Sequence, residues 1–335
     1  MKLCVLHPGI PRSKEYSDLS GDPSNTTPPP LGLAGFAACT GGGIYRKSSE
    51  IPPDQRRVLL VIGRDLKAAR QATIDLRREG KIIVATLEYD RLSAIHSWLR
   101  SPSDLRLFRE VCNRVHAGLA LTADAEPVLR MGGVFHVEVI PPPLPVEQAE
   151  WNFSLPAEER RGILLGSWDW KNPGIRHFEA LIALRETAGQ MFEPVTVFNL
   201  DGWRGRRWLR QLEYPAGLLR VIEKKLPYTE YLRKVALHKM VFHLDATGGI
   251  GRVAADAILC RIPCIGGSGA VDRIAFTELC GHGANINDLT YMASLMLDHS
   301  HDRESAVEKA LDRSNQRLSF SAASNALEQL FHCHG

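Results

Sequence analysis

Between residues 240 and 267 the chain runs from an apolar stretch through a glycine turn and a helix to a second apolar stretch. That succession limits the available folds more than any other segment. Met240, Val241, Phe242, His243 and Leu244 read as a short buried strand. Gly248, Gly249, Ile250 and Gly251 form a loop, residues 252–260 read as a helix, and Pro263, Cys264 and Ile265 form a second strand closed by Gly266 and Gly267. The result is one β-loop-α-β unit with its glycines at the strand-to-helix turn. Such a turn aims backbone N–H groups and a helix N-terminus at an anion, typically a phosphate. Asp256 stands five residues after Gly251, near enough to reach a ribose if a nucleotide lies on the loop.

The first 145 residues alternate in the same way. Strands are expected over 3–7, 58–62, 81–86, 119–121 and 135–140, and helices over 66–79, 102–116 and 125–131. Asp65 is placed to cap the first helix and Gly80 to end it. Ser101 is placed to cap the second, with Pro102 at its first position. Strands spaced by helices imply βαβ units and a parallel sheet. Residues 17–30 are polar and proline-rich and read as a surface loop. Gly41, Gly42 and Gly43, like Pro8 and Gly9, are candidate ligand loops on weak evidence, since glycine runs alone say little.

Pro141, Pro142, Pro143 and Pro145 break both ladders and helices, so the boundary between two domains is expected there. Past it, 162–166 and 195–199 read as strands, 177–187 as a helix and 322–331 as the last helix. At 335 residues with 44% hydrophobic content, the chain can bury two cores. No apolar stretch reaches the roughly 18 residues of a membrane span. The N-terminus reads as a first strand, not a signal peptide. Seven scattered cysteines suit a reducing cytoplasm, and the net charge of +3 permits an anionic partner without demanding one.

Residues 239–280 resemble the donor-binding domain of GT-B glycosyltransferases, in particular the glycosyl transferase group 1 family. That pattern is a strand, Pro-Ser-x-x-Glu-Gly-Phe-Gly, a helix opening into Glu-Ala, then Pro-Val-Ile. Gly249, Ile250 and Gly251 match Gly-Phe-Gly, Asp256 and Ala257 match Glu-Ala, and Ile262 to Ile265 match the strand entry. Two departures stand out. The family's first acidic residue falls on Gly248, and its second is shortened to Asp256. The resemblance implies an α/β GT-B fold with two Rossmann-like parallel-sheet domains facing a central cleft. An acceptor-side domain is expected over 1–145 and a nucleotide-sugar donor domain over 146–335, whose last helix crosses back to the first. It implies a hexosyltransferase that uses a nucleotide-sugar, with UDP as the leading nucleotide, and needs no metal or other cofactor.

Site residues follow from the same resemblance. Gly249, Ile250, Gly251 and Asp256 would bind the donor. Lys171 keeps part of the family's diphosphate-binding spacing after Gly166, although Ser167 replaces its arginine. Tyr228 is placed to meet the nucleotide base, the alternative being a helix cap and core tyrosine. Glu88 and Asp90 close a strand of the first domain, where the carboxyl ends of parallel strands face a ligand. One of them could act as general base in an inverting displacement, and two solvated loop acids are the competing reading. Arg204, Arg206 and Arg207, with Arg210, alternate with Trp203 and Trp208. The pattern suits an anion or acceptor, including a modified pyrimidine in DNA, though most such clusters are solvated faces. Cys260, Cys264, Cys280 and His282 lack the Cys-x2-Cys spacing of structural zinc, so no metal site is expected. A GT-B-like protein that binds nucleotide or nucleic acid without transfer is the second reading, favoured by the lost acid at Gly248.

Overall fold

The computed structural model describes residues 2–10, 12–15, 28–89, 91–166 and 172–334. The chain divides into two compact units. One contains Pro29–Glu150 and Asn315–Gly335 together with the N-terminal strands, and the other contains Trp151–Ser314.

The first unit runs β1 (Cys4–Leu6), β2 (Lys14–Glu15), α1 (Leu33–Ala38), β3 (Gly43–Tyr45), β4 (Arg57–Ile62), α2 (Leu66–Arg78), β5 (Ile82–Leu87), α3 (Leu92–Trp98), α4 (Pro102–Cys112), β6 (Ala117–Ala120), α5 (Glu126–Gly132) and β7 (Val137–Val139). Its sheet has the order β2-β3-β1-β4-β5-β6-β7 and is parallel except for β2, which pairs antiparallel with β3. The central strands β4 and β5 are nearly continuous apolar runs because helices cover both faces of a parallel sheet. Helix α2 begins where Asp65 accepts from the Ala68 N–H at 2.9 Å. It ends where Gly80 takes φ +68° and the Lys81 N–H reaches Leu76 O at 3.0 Å. Ser101 caps α4 through the Asp104 N–H at 3.1 Å. The helix stops at Cys112, short of the expected 116, and His116 instead turns its Nδ1 to the Ile83 N–H at 2.9 Å.

The triple glycine after α1 differs from expectation. A Cβ on Gly42 would collide with the backbone of Leu3, and the Gly43 N–H bonds Leu3 O at 3.2 Å as β3 starts. These glycines let β3 close against the start of β1, at the strand edge opposite to that of a parallel-sheet ligand crevice. Their role is packing.

The second unit runs β8 (Ile163–Leu165), α6 (His177–Met191), β9 (Val195–Phe198), α7 (Trp203–Gln211), β10 (Leu219–Ile222), α8 (Tyr228–Ala236), β11 (Met240–Asp245), α9 (Arg252–Leu259), β12 (Cys264–Gly267), α10 (Ala270–Ala275), α11 (Ile286–Asp298) and α12 (Ser300–Arg317). Its five strands are all parallel in the order β10-β9-β8-β11-β12. The chain then forms α13 (Phe320–His332) inside the first unit. Ser319 caps α13 through the Ala322 N–H at 3.1 Å and pairs in a bridge with Leu144, at the end of the proline run. Leu327, Leu330 and Phe331 are buried there. Each contributes about 1.5–3 kcal/mol by leaving water, so the first unit depends on this returning helix. Among the described residues no helix is long and apolar enough to cross a membrane.

Candidate active site

In the second unit, β11 delivers the chain to the glycine loop and α9 leaves it. Gly248 and Gly251 adopt φ +65° and +85°, the left-handed region that L side chains rarely enter. The loop is fastened from one side. The Ala270 N–H bonds Gly249 O at 2.9 Å and the Val271 N–H bonds Ile250 O at 2.9 Å, so the start of α10 holds both carbonyls. With those carbonyls engaged, the first-turn amides of α9, which have no partner within their own helix, stand at its N-terminus beside the loop. On the other side Gly174 O accepts from the Ala246 N–H at 2.8 Å, and the Gly166 N–H bonds Phe242 O at 3.0 Å. Both flanks of the segment that carries Lys171 are thereby tied to β11. Lys171 itself lies outside the described residues.

Gly251 has no room for a side chain. A Cβ there would stand 2.6 Å from Asp272 Oδ2 and 3.2 Å from the Val271 amide nitrogen. Gly251→Ala is therefore expected to lose about 1–3 kcal/mol of stability through its strained φ. Urea unfolding checks this, with a lowered midpoint at unchanged slope as the expected result.

Beneath the loop lies a group the sequence did not announce. Asp272, which is buried, accepts from the Gly269 N–H at 3.1 Å and faces His243 Nε2 at 3.4 Å and Cys264 Sγ at 3.9 Å. Among the described residues these three offer ligand atoms within 4.8 Å of one another, a spacing a divalent ion could accept. Their visible work is structural, since Asp272 ties the head of α10 to β11 and β12 and so steadies the glycine loop. The cysteine set singled out from the sequence does not assemble. Cys260 Sγ turns to Leu232 O at 3.3 Å and Cys280 Sγ to Gly267 O at 3.2 Å.

Asp256 and Tyr228, given separate ligand roles from the sequence, are bonded to each other. The Tyr228 hydroxyl donates to Asp256 Oδ1, and Tyr228 stacks on Tyr231 with ring centroids 5.9 Å apart. The Asp256 carboxylate is only 2% exposed. It lies on the face of α9 that packs against α8, not on the rim of the loop, so a direct ribose contact does not fit this arrangement. Burial raises its pKa from the ordinary 3.8 to about 7, against the opposing influence of Tyr228, Arg252 and Tyr231. The Tyr228 phenol is held protonated far above its usual range, by burial first and the adjoining carboxylate second. Half of the expectation for Tyr228 thus goes to its alternative: it opens α8 and packs on Tyr231, while remaining only half-buried.

In the first unit, Glu88 directly follows β5, and the Glu88 N–H bonds Ile62 O at 2.9 Å. Its carboxylate lies against Gly63, where a Cβ would collide with it. His7 follows β1, two strands away, within the electrostatic reach of Glu88. Burial lowers the His7 pKa while Glu88 opposes that shift. His7 Nδ1 accepts from the Gly9 N–H at 3.1 Å, so a neutral ring carries its proton on Nε2. Sequence reading missed His7 because the strand order that sets β1 beside β4 and β5 is not written locally. Asp90 lies outside the described residues. Arg204, Arg206 and Arg207 sit on α7 and are exposed; Arg206 pairs with Glu223 at 3.4 Å.

No family model matches the chain, and no curated protein matches it in sequence. Its fold does match solved structures. Anabaena HepE in complex with UDP aligns with a TM-score of 0.61 at 15% identity, covering 82% of this chain and 78% of that one. The E. coli trehalose-6-phosphate structure bound with UDP-2-fluoro glucose aligns at 0.58 and 15% identity, covering 82% and 73%. S. aureus TarM in complex with fondaparinux, alpha-GlcNAc-glycerol and UDP aligns at 0.60 and 12% identity, covering 88% and 58%. These are GT-B glycosyltransferases, and the chain has the GT-B fold.

Proposed function

We propose that the chain is a nucleotide-sugar-dependent hexosyltransferase that moves a sugar from a UDP-sugar to an acceptor hydroxyl. The observation that carries this reading is the left-handed glycine loop at the head of α9, fastened by α10 within a GT-B fold. The relatives described with UDP or a UDP-sugar analogue support the choice of nucleotide. Gly249, Ile250 and Gly251, with Lys171, would receive the diphosphate. Tyr228 would meet the nucleotide, and Asp256 would act through it by holding its hydroxyl. No metal is required, because the loop amides and Lys171 supply the positive field. Unpaired cysteines throughout support a cytoplasmic protein.

Gly248 removes the acid that family members using retention would keep, so the displacement is proposed to be direct. The acceptor proton passes to Glu88 or Asp90, the acceptor oxygen bonds the anomeric carbon, and the bond to UDP breaks with inversion. NMR assignment of the product anomer tests the stereochemistry, and a retained configuration rejects this scheme. One relative was studied for transfer with retention, which makes the outcome informative. A modified pyrimidine in DNA is a narrower form of the same acceptor, checked by transfer to a duplex containing 5-hydroxymethylcytosine.

UDP is expected to raise the melting temperature by several degrees at saturating concentration, because it binds only the folded state. No shift with any nucleoside diphosphate would remove the donor assignment. The second reading, nucleotide binding without transfer, is favoured by Gly248; a UDP shift without hydrolysis or transfer of any UDP- or GDP-sugar would decide for it.

A further inference from the structure

Helix α7 turns an unusual face to solvent. Gly205 and Leu209 are its buried residues. At about 100° per residue, the opposite arc is bracketed by Trp203 and Trp208, with Arg204, Arg207 and Gln211 between them. The two tryptophans are 63% and 51% exposed, far from the usual state of such large apolar side chains. Leu200, just before the helix, and Val221, on the edge strand β10, are exposed as well. Trp208 is anchored at its base by an edge-to-face contact with Phe178, ring centroids 5.3 Å apart, and the Arg204 guanidinium lies 5.7 Å from the Trp203 ring centre.

Charge on this face is one-sided. Among the described residues Arg206 is matched by Glu223 at 3.4 Å, while no carboxylate lies within ion-pair distance of Arg204, Arg207 or Arg210. A solvated basic face explains the arginines but not the exposed tryptophans beside them. Exposed apolar area rimmed by charge marks an interaction surface. Tryptophan prefers the boundary between lipid headgroups and acyl chains, and arginine is drawn to anionic headgroups.

We infer that the exposed face of α7 docks this protein on an anionic lipid bilayer. Trp203 and Trp208 would enter the headgroup layer, with Arg204, Arg207 and Arg210 on lipid phosphates. A single-stranded nucleic acid could use the same arginines and stack on the tryptophans. It is the weaker fit because such strands lie in grooves, whereas α7 is a convex helix. Docking of this kind needs no sugar transfer, so it stands or falls separately from the enzymatic reading.

Co-sedimentation of the full chain with vesicles tests it. Binding is expected to phosphatidylcholine vesicles containing phosphatidylglycerol, not to phosphatidylcholine alone, and should weaken in high salt. Arg204→Glu/Arg207→Glu should lower the partition coefficient by at least about 30-fold, given roughly fivefold for each cation near such a surface. Trp203→Ala should lower it several-fold with an unchanged melting temperature, since its ring is largely in water already. No vesicle binding, equal binding to neutral vesicles, or full binding by the arginine double variant overturns the inference. So does competition in which duplex or single-stranded DNA binds this face and vesicles do not.

Discussion

One of the two variants Glu88→Gln and Asp90→Asn is expected to lower turnover by roughly 10²–10⁴-fold, the usual cost of removing a general base, while UDP binding stays intact. Strands β1, β4 and β5 are neighbours in a parallel sheet, so His7, Gly63 and Glu88 emerge together at its carboxyl edge, the edge at which such sheets bind ligands. Gly63 is the second handle on this site. Because a Cβ at that position collides with the Glu88 carboxylate, Gly63→Ala should displace Glu88 without removing it and so report on Glu88 as the base. With Glu88 in that role, turnover of Gly63→Ala should fall while the melting temperature with UDP still rises. Full activity in both Glu88→Gln and Asp90→Asn would eliminate the proposed base.

The second large effect concerns stability. Asp256 has its folded-state pKa raised by burial from 3.8 to about 7, so the folded chain favours the protonated acid. Its stabilising contribution is complete below about pH 4, where folded and unfolded chains both hold the proton. It is lost progressively as pH rises to about 7, because the unfolded chain ionises freely while the folded chain must either keep the proton or bury a charge. A shift of about 3 units corresponds to about 4 kcal/mol at neutral pH. Asp256→Asn offers an uncharged acceptor oxygen that can keep the Tyr228 bond, with one N–H donor more than the protonated acid. Wild type and variant should therefore unfold alike near pH 4, and the variant should be the more stable by pH 8. Parallel stability curves across that range would show that folding does not raise the Asp256 pKa.

What could be read in the sequence divides along physical lines. The glycine loop was legible because strand, turn and helix are local and the left-handed turn needs glycine. The caps at Asp65 and Ser101 were legible for the same reason. Strand order was not, so His7 and Glu88 could not be paired. The direction of a helix face was not either. Asp256 counts as close to the loop along the chain, yet α8 claims its side of α9, and a count of residues cannot show which neighbour a helix meets. The triple glycine at 41–43 misled for the converse reason: glycine that admits a ligand and glycine that admits a neighbouring strand look identical until Leu3 is seen against Gly42. The buried His243, Cys264 and Asp272 come from two strands and a helix, with no spacing signature to betray them.

The return of α13 to the first unit has a consequence for synthesis in the cell. Chains leave the ribosome from the N-terminus, and domains ordinarily fold in that order as they emerge. Here the unit begun first waits longest: Leu327, Leu330 and Phe331 arrive only after every residue of Trp151–Ser314 has been made. Until then the pocket that receives them on α1 and beside Leu144 is open apolar surface on a nascent polypeptide. The second unit, whose sheet lies wholly within Trp151–Ser314, meets no such delay, and that sheet can close while the first is still incomplete. A released chain truncated after Ser314 should therefore carry a protease-resistant second unit and a first unit that chaperones still hold.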